Sequence, residues 1–227
     1  FSPVDAGFYS SGHPDLRTDF SPLLGLVRSD DDGRSIQLLA FEGESDFHLM
    51  GVGYYYHAVY VINPEPNSGI GAGLFYTIDD GQTWTQSSAQ ELNASPIQIA
   101  VHPTEPGTVA LATQAGLFLS NDYGANFTLL GDAAPITAVT FHPDGSTLFF
   151  GYQNLYAYGL TTAETETLNS PPALGENGLN YIAVNPVDRY DSFTIAGSTY
   201  LGPAHEPFKI YGDPSHPQFE IPNIGLK

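Results

Sequence analysis

Three octapeptides in this chain share one frame. Ser29-Asp30-Asp31-Asp32-Gly33-Arg34-Ser35-Ile36, Thr77-Ile78-Asp79-Asp80-Gly81-Gln82-Thr83-Trp84 and Ser120-Asn121-Asp122-Tyr123-Gly124-Ala125-Asn126-Phe127 each begin with Ser or Thr. Asp follows at the third place and Gly at the fifth, then Ser, Thr or Asn and a bulky apolar residue close the frame. Their first residues lie 48 and 43 positions apart. A recurrence of about 40–50 residues that contains several short strands is the signature of propeller blades.

The intervening segments agree. Pro96–Pro103, Thr108–Thr113, Gly116–Ser120 and Asn126–Leu130 read as four strands, and Ile136–Pro143, Ser146–Gly151 and Asn154–Tyr158 begin the next unit the same way. Another unit opens at Leu179–Pro186. These runs are β-branched and aromatic, are punctuated by Gly, Pro, Asn and Asp, and show no helical period. The expected fold class is therefore all-β: a β-propeller of four-stranded antiparallel blades, with about five blades or as part of a larger ring. One domain is expected over 1–227, with units at roughly 1–45, 46–90, 91–130, 131–176 and 177–227. The fourth unit lacks the frame and has only Gly159-Leu160-Thr161-Thr162 near its place. The stretch after Leu201 fits poorly, and the first unit begins partway through a blade.

Each part of the frame has a structural job. The Asp (Asp31, Asp79, Asp122) accepts hydrogen bonds from its own turn, and the Gly (Gly33, Gly81, Gly124) supplies a positive φ. The hydroxyls of Ser29, Thr77 and Ser120 brace the loop, while Trp84 and Phe127 plug into the blade packing. A calcium loop of the EF-hand type needs ligands over about 12 positions and a closing Glu, which no copy has. A catalytic pair of adjacent acids is disfavoured too, because Tyr123 replaces the second acid in the third copy.

Charge excludes some partners. With 25 acidic against 6 basic residues, the formal net charge is −19, which repels nucleic acid and anionic lipid. No apolar run approaches the roughly 18 residues that cross a bilayer, so membrane insertion is not expected. The absence of cysteine removes disulfides and thiolate chemistry and leaves the redox compartment open.

The boxes resemble the Asp-box (BNR) repeats of sialidase-like and sortilin-like propellers. With Ser11–Leu16, Leu24–Ser29 and Ser45–Met50, they make roughly residues 1–130 similar to a bacterial and archaeal propeller family of the F510_1955 type, whose members usually carry a glycosyl-hydrolase label. The resemblance implies an extracytoplasmic prokaryotic protein and, since such members have a further repeat region ahead of this point, a truncated or processed chain. It does not bring sialidase chemistry with it. That chemistry needs clustered arginines to clamp a carboxylate, and this chain has only Arg17, Arg28, Arg34 and Arg189.

Function is therefore sought in the non-repeating segments. Gly12-His13-Pro14-Asp15 is expected to end a strand of the first unit, and Asp46-Phe47-His48 to open a strand of the next. Together they form a His/Asp set suited to a divalent metal, with Met50 as a soft ligand were copper the guest. Against this, His102-Pro103 and His142-Pro143 suggest that histidine before proline shapes strand ends. Tyr54-Tyr55-Tyr56 could stack on a sugar, although alternating burial along a strand accounts for it as well. His57, His205 and His216 have no such context. The leading expectation is a binding or assembly module for a protein partner or a small ligand such as a glycan. The alternatives are a glycan hydrolase and a metal-binding propeller.

Overall fold

In the computed structural model of the chain, the described residues are 7–15, 17–168 and 178–184, with strand pairing also described for Ser192–Ala196 and Phe208–Lys209. They form five antiparallel sheets in chain order. The first holds β1 (Phe8–Ser10), β2 (Leu26–Ser29) and β3 (Gln37–Ala40), and the second holds β4 (Leu49–Val52), β5 (Val59–Asn63), β6 (Gly73–Thr77) and β7 (Thr85–Gln86). Next come β8 (Pro96–Val101), β9 (Val109–Thr113), β10 (Gly116–Ser120) and β11 (Thr128–Leu130). The fourth sheet is β12 (Ala138–Phe141), β13 (Thr147–Gly151), β14 (Leu155–Gly159) and β15 (Thr165–Leu168), and the fifth is β16 (Leu179–Val184), β17 (Ser192–Ala196) and β18 (Phe208–Lys209). Every four-stranded sheet is an up-and-down meander. The first strands neighbour one another in turn, β4 beside β8, β8 beside β12 and β12 beside β16.

The core is a series of layers between consecutive sheets. On β9, Val109 and Leu111 face the second sheet, where they and Phe118 of β10 pack with Tyr60 and Leu74. Ala110 and Ala112 on the same strand face the fourth sheet and meet Val139, Leu148 and Phe150. The period of two puts successive side chains on opposite faces, so a strand buried on both faces must be apolar throughout. This explains why β9 reads Val-Ala-Leu-Ala-Thr with all five residues buried. Similarly, β5 turns Val59 and Val61 to the first sheet and Tyr60 to the third.

Two strand expectations need revision. Tyr54–Tyr56 is not an alternating strand but the turn joining β4 to β5. Tyr55 N donates to Pro103 O at 2.9 Å, and Tyr56 is 64% exposed. Nor is Asp46–Met50 one regular strand, because β4 starts only at Leu49. Arg189, His205, His216, the Asn185-Pro186 pair and, apart from Phe208–Lys209, the stretch after Leu201 lie outside the described residues.

Candidate functional site

The three boxes form the same turn at the same place, between the third and fourth strands of a sheet or their equivalents. In the first, Ser29 Oγ donates to Asp31 Oδ1 (3.0 Å) and accepts from Gly33 N (2.9 Å), while Ser35 N and Oγ donate to the two Asp31 oxygens at 2.8 and 2.7 Å. Thr77, Asp79, Gly81 and Thr83 repeat this at 2.8, 3.0, 2.9 and 2.6 Å. Ser120, Asp122, Gly124 and Asn126 do so at 2.7, 3.0, 2.9 and 2.7 Å. Trp84 Nε1 donates to Gly81 O at 3.0 Å and its ring meets Phe41 and Phe47, whereas Phe127 enters the layer between the second and third sheets. Hydrogen bonding to the charged form lowers a carboxyl's pKa. Donors on Ser35 and Thr83 hold Asp31 and Asp79 below the usual carboxylate range, and the Asn126 side chain leads those that hold Asp122 at about 2. These acids serve the turn, and the chemistry must be sought elsewhere.

The residue before each glycine is also left-handed: Asp32 at φ 60°, Asp80 at 57° and Tyr123 at 60°. That geometry swings the second and third of these side chains onto the preceding sheet. Asp80 accepts a hydrogen bond from Tyr9 OH and lies 3.1 Å from Arg28 Nη1. Tyr123 stacks on Tyr76. Burial, followed by the Asp80 contact, pushes the Tyr9 hydroxyl up.

Of the four sequence-selected ligands, three meet. His13 Nε2 is 2.9 Å from Asp46 Oδ2, and His48 Nε2 is 3.3 Å from the same oxygen. Asp15 does not join them. Its carboxylate is taken by Arg17, whose Nε and Nη2 donate at 2.8 and 2.6 Å, because a guanidinium two residues away in the same loop satisfies it first. Met50 packs against the layer formed by Leu26, Phe47 and Val59. Among the described residues, no three His, Asp or Glu groups are placed to hold a metal ion. The His-Pro histidines are turn braces: His102 Nδ1 accepts from Thr104 N and Glu105 N, its Nε2 reaches Gly145 O of the next sheet at 2.9 Å, and His142 Nδ1 accepts from Asp144 N.

A cavity of about 370 Å³ lies where the first strands begin, lined by His48, Leu49, Met50, Ile97, Gln98, Ile99, Thr137, Asn180 and Tyr181. Two of its polar groups already serve the frame. Gln98 Oε1 accepts from Val139 N at 2.6 Å, and Thr137 Oγ1 donates to Leu179 O. That leaves His48 and Asn180 as polar groups on a largely apolar wall, with Tyr181 62% exposed beside it. No carboxylate lines this cavity, so a glycosidase-type acid pair is not among its wall residues. Apart from His48 and Met50, sequence reasoning missed these residues. They come from four sheets, and the one available signal was the repeated strand start at Ile97, Thr137 and Asn180.

No family model and no curated protein matches the chain. Its fold is similar to that of the Niastella koreensis GH74 enzyme, with TM-score 0.57 and 15% identity over 86% of this chain and 32% of that one. A chain of the nidogen/laminin complex matches with TM-score 0.57 and 10% identity over 84% and 70%. An ancestral GH74 enzyme matches with TM-score 0.50 and 14% identity over 84% and 29%. This chain thus spans about a third of the length of the GH74 enzymes. At such identities the likeness speaks for the fold alone. Together with the sheets and their layered core, it defines a β-propeller.

Proposed function

We propose that this propeller is an extracytoplasmic binding module that draws a basic segment of a protein partner to its acidic surface and takes apolar side chains of that segment into the cavity at the start of the first strands. The cavity itself carries the reading. It is concave and largely apolar, it keeps the polar groups of His48 and Asn180, and ligand pockets of this kind recur in the mouths of β-barrels. The partner's charge follows from the −19 of the chain, since opposite charge steers encounter and like charge rejects wrong partners. The extracytoplasmic setting rests on the Asp-box resemblance, and fractionation of the source cells tests it.

A direct test uses labelled basic, neutral and acidic peptides beside a panel of oligosaccharides, with anisotropy as the readout. Basic peptides bind in the expected case, more weakly at high salt, and Tyr181→Ala and Ile97→Lys each reduce affinity by roughly tenfold, about 1.4 kcal/mol. Binding that is unchanged by both substitutions, or an absence of binding by any peptide, contradicts the proposal. Saturable binding of an oligosaccharide alone would turn it to the glycan class.

A further inference from the structure

Two of the first strands, β8 and β16, are irregular at the same place. On β8, Pro96 is opposite Thr113 and Gln98 opposite Ala112, which leaves Ile97 as the extra residue of a β-bulge. On β16, Leu179 is opposite Ala196 and Tyr181 opposite Ile195, so Asn180 is the extra residue there. Both extra residues line the cavity, whereas β4 and β12 pair with their neighbours in unbroken register. A bulge bends its strand and re-aims a side chain, and bulges are over-represented next to active sites.

The two bulged residues differ in chemistry. Ile97 joins Leu49, Met50 and Ile99 in the apolar part of the wall, and Asn180 brings an amide that can both donate and accept. His48 Nε2 already faces Asp46 Oδ2 at 3.3 Å, so Asn180 is the polar wall residue best placed to meet a ligand. A group that covers this wall must bury apolar surface and also give the amide a partner, because a polar group taken out of water unpaired is costly. Leucine and phenylalanine satisfy only the first condition. Lysine and arginine would set a cation against a wall without a carboxylate. Tyrosine and tryptophan meet both conditions, since each has a large apolar body and one polar tip. The Met50 thioether makes favourable contacts with aromatic rings, and Tyr181, exposed beside the cavity, offers a ring for edge or stacked pairing.

We propose that the cavity selects a tyrosine or tryptophan side chain carried by the basic segment, with Ile97 packing on the ring and Asn180 bonding its hydroxyl or indole N–H. The inference rests on the reading of the cavity as the place where that segment enters, and it adds what the segment must contain. Recognition is divided between two agents. The charge of −19 attracts the basic residues on either side, and the uncharged wall reads the residue between them. The two bulges make Ile97 and Asn180 the residues that determine specificity.

The test follows the anisotropy of labelled peptides that carry two lysines on each side of one variable residue, titrated with the full chain. Tyrosine and tryptophan peptides bind tightest in the expected case. The phenylalanine peptide binds roughly fivefold more weakly for want of one hydrogen bond, and leucine and lysine peptides roughly tenfold or more. Asn180→Leu, at an exposed position, removes the advantage of tyrosine over phenylalanine and leaves the phenylalanine peptide within about twofold of its parent affinity. Ile97→Ala weakens the tyrosine and phenylalanine peptides alike. A leucine peptide that binds as tightly as the tyrosine peptide overturns the proposal, as does a preference for tyrosine over phenylalanine that survives Asn180→Leu. Either result leaves the binding of basic segments standing, whereas no binding by any peptide of the panel defeats both.

Discussion

Tyr123 stacks on Tyr76 with ring centroids 4.8 Å apart, across the seam between the second and third sheets. One sheet earlier the same two positions hold Asp80 and Arg28, 3.1 Å apart. The register makes the equivalence firm: Tyr60 pairs with Tyr76 on β5 and β6, as Tyr9 pairs with Arg28 on β1 and β2. One geometric slot, created by the left-handed residue of the turn, is filled once by aromatic stacking and once by an ion pair.

These two seams should respond differently to salt. Tyr123→Ala is expected to cost about 1–2 kcal/mol at any ionic strength, since stacking and burial are not screened. Asp80→Asn should cost about 1 kcal/mol or less, shrinking as salt rises, because Asp80 is partly exposed and its pair is screened. Urea unfolding in low and high NaCl separates them. Equal salt dependence of the two variants would contradict this account of the seams.

Gly124 combines positive φ with close packing. A Cβ there would stand 2.9 Å from Ser87 Oγ and 3.1 Å from Leu74 Cδ2, at φ +74°. Gly131, at φ +68°, has open space around its Cβ position. Gly131→Ala should therefore lose only the backbone part, about 1 kcal/mol, and Gly124→Ala about 2–3 kcal/mol. Equal losses in denaturant melts would mean that the turn glycine is not packed against the preceding sheet.

Acid should open the boxes. Each box carboxyl is depressed in the folded state, so its contribution is fully present above the unfolded value and is lost as pH falls through the folded one. For Asp122 that window runs from about 4, the ordinary carboxylate value, down to about 2. Asp122→Asn should be less stable than the parent at neutral pH and show a flatter stability profile across that window. A variant profile parallel to the parent's would sink this reading.

The boxes were legible because every bond that makes them is local, running from Ser120 to Asn126 and no farther. The doubly buried strands were legible for a similar reason, since an apolar run such as Val109–Leu111 carries its burial in its own composition. Asp15 was misread because a partner two residues away, Arg17, outcompeted a set assembled from two sheets. Asp80 and Tyr123 looked like interchangeable filler, because their contacts with Arg28 and Tyr76 arise only when sheets stack. The cavity was hidden for the same reason. Its walls come from residues about 40–50 apart, and nothing local distinguishes Ile97 or Tyr181 from any other strand residue.

The central claim is that ligands enter where the first strands begin, beside His48, and not at the boxes. The pairing places these at opposite ends of the molecule: Leu49 is opposite Ile62 and Val52 opposite Val59, which in turn pairs with Thr77 at the start of a box. Hydrogen–deuterium exchange with the tightest-binding basic peptide distinguishes them. The account expects protection confined to residues 48–50, 97–99 and 180–181. Protection at 77–84 and 120–127 instead would contradict it.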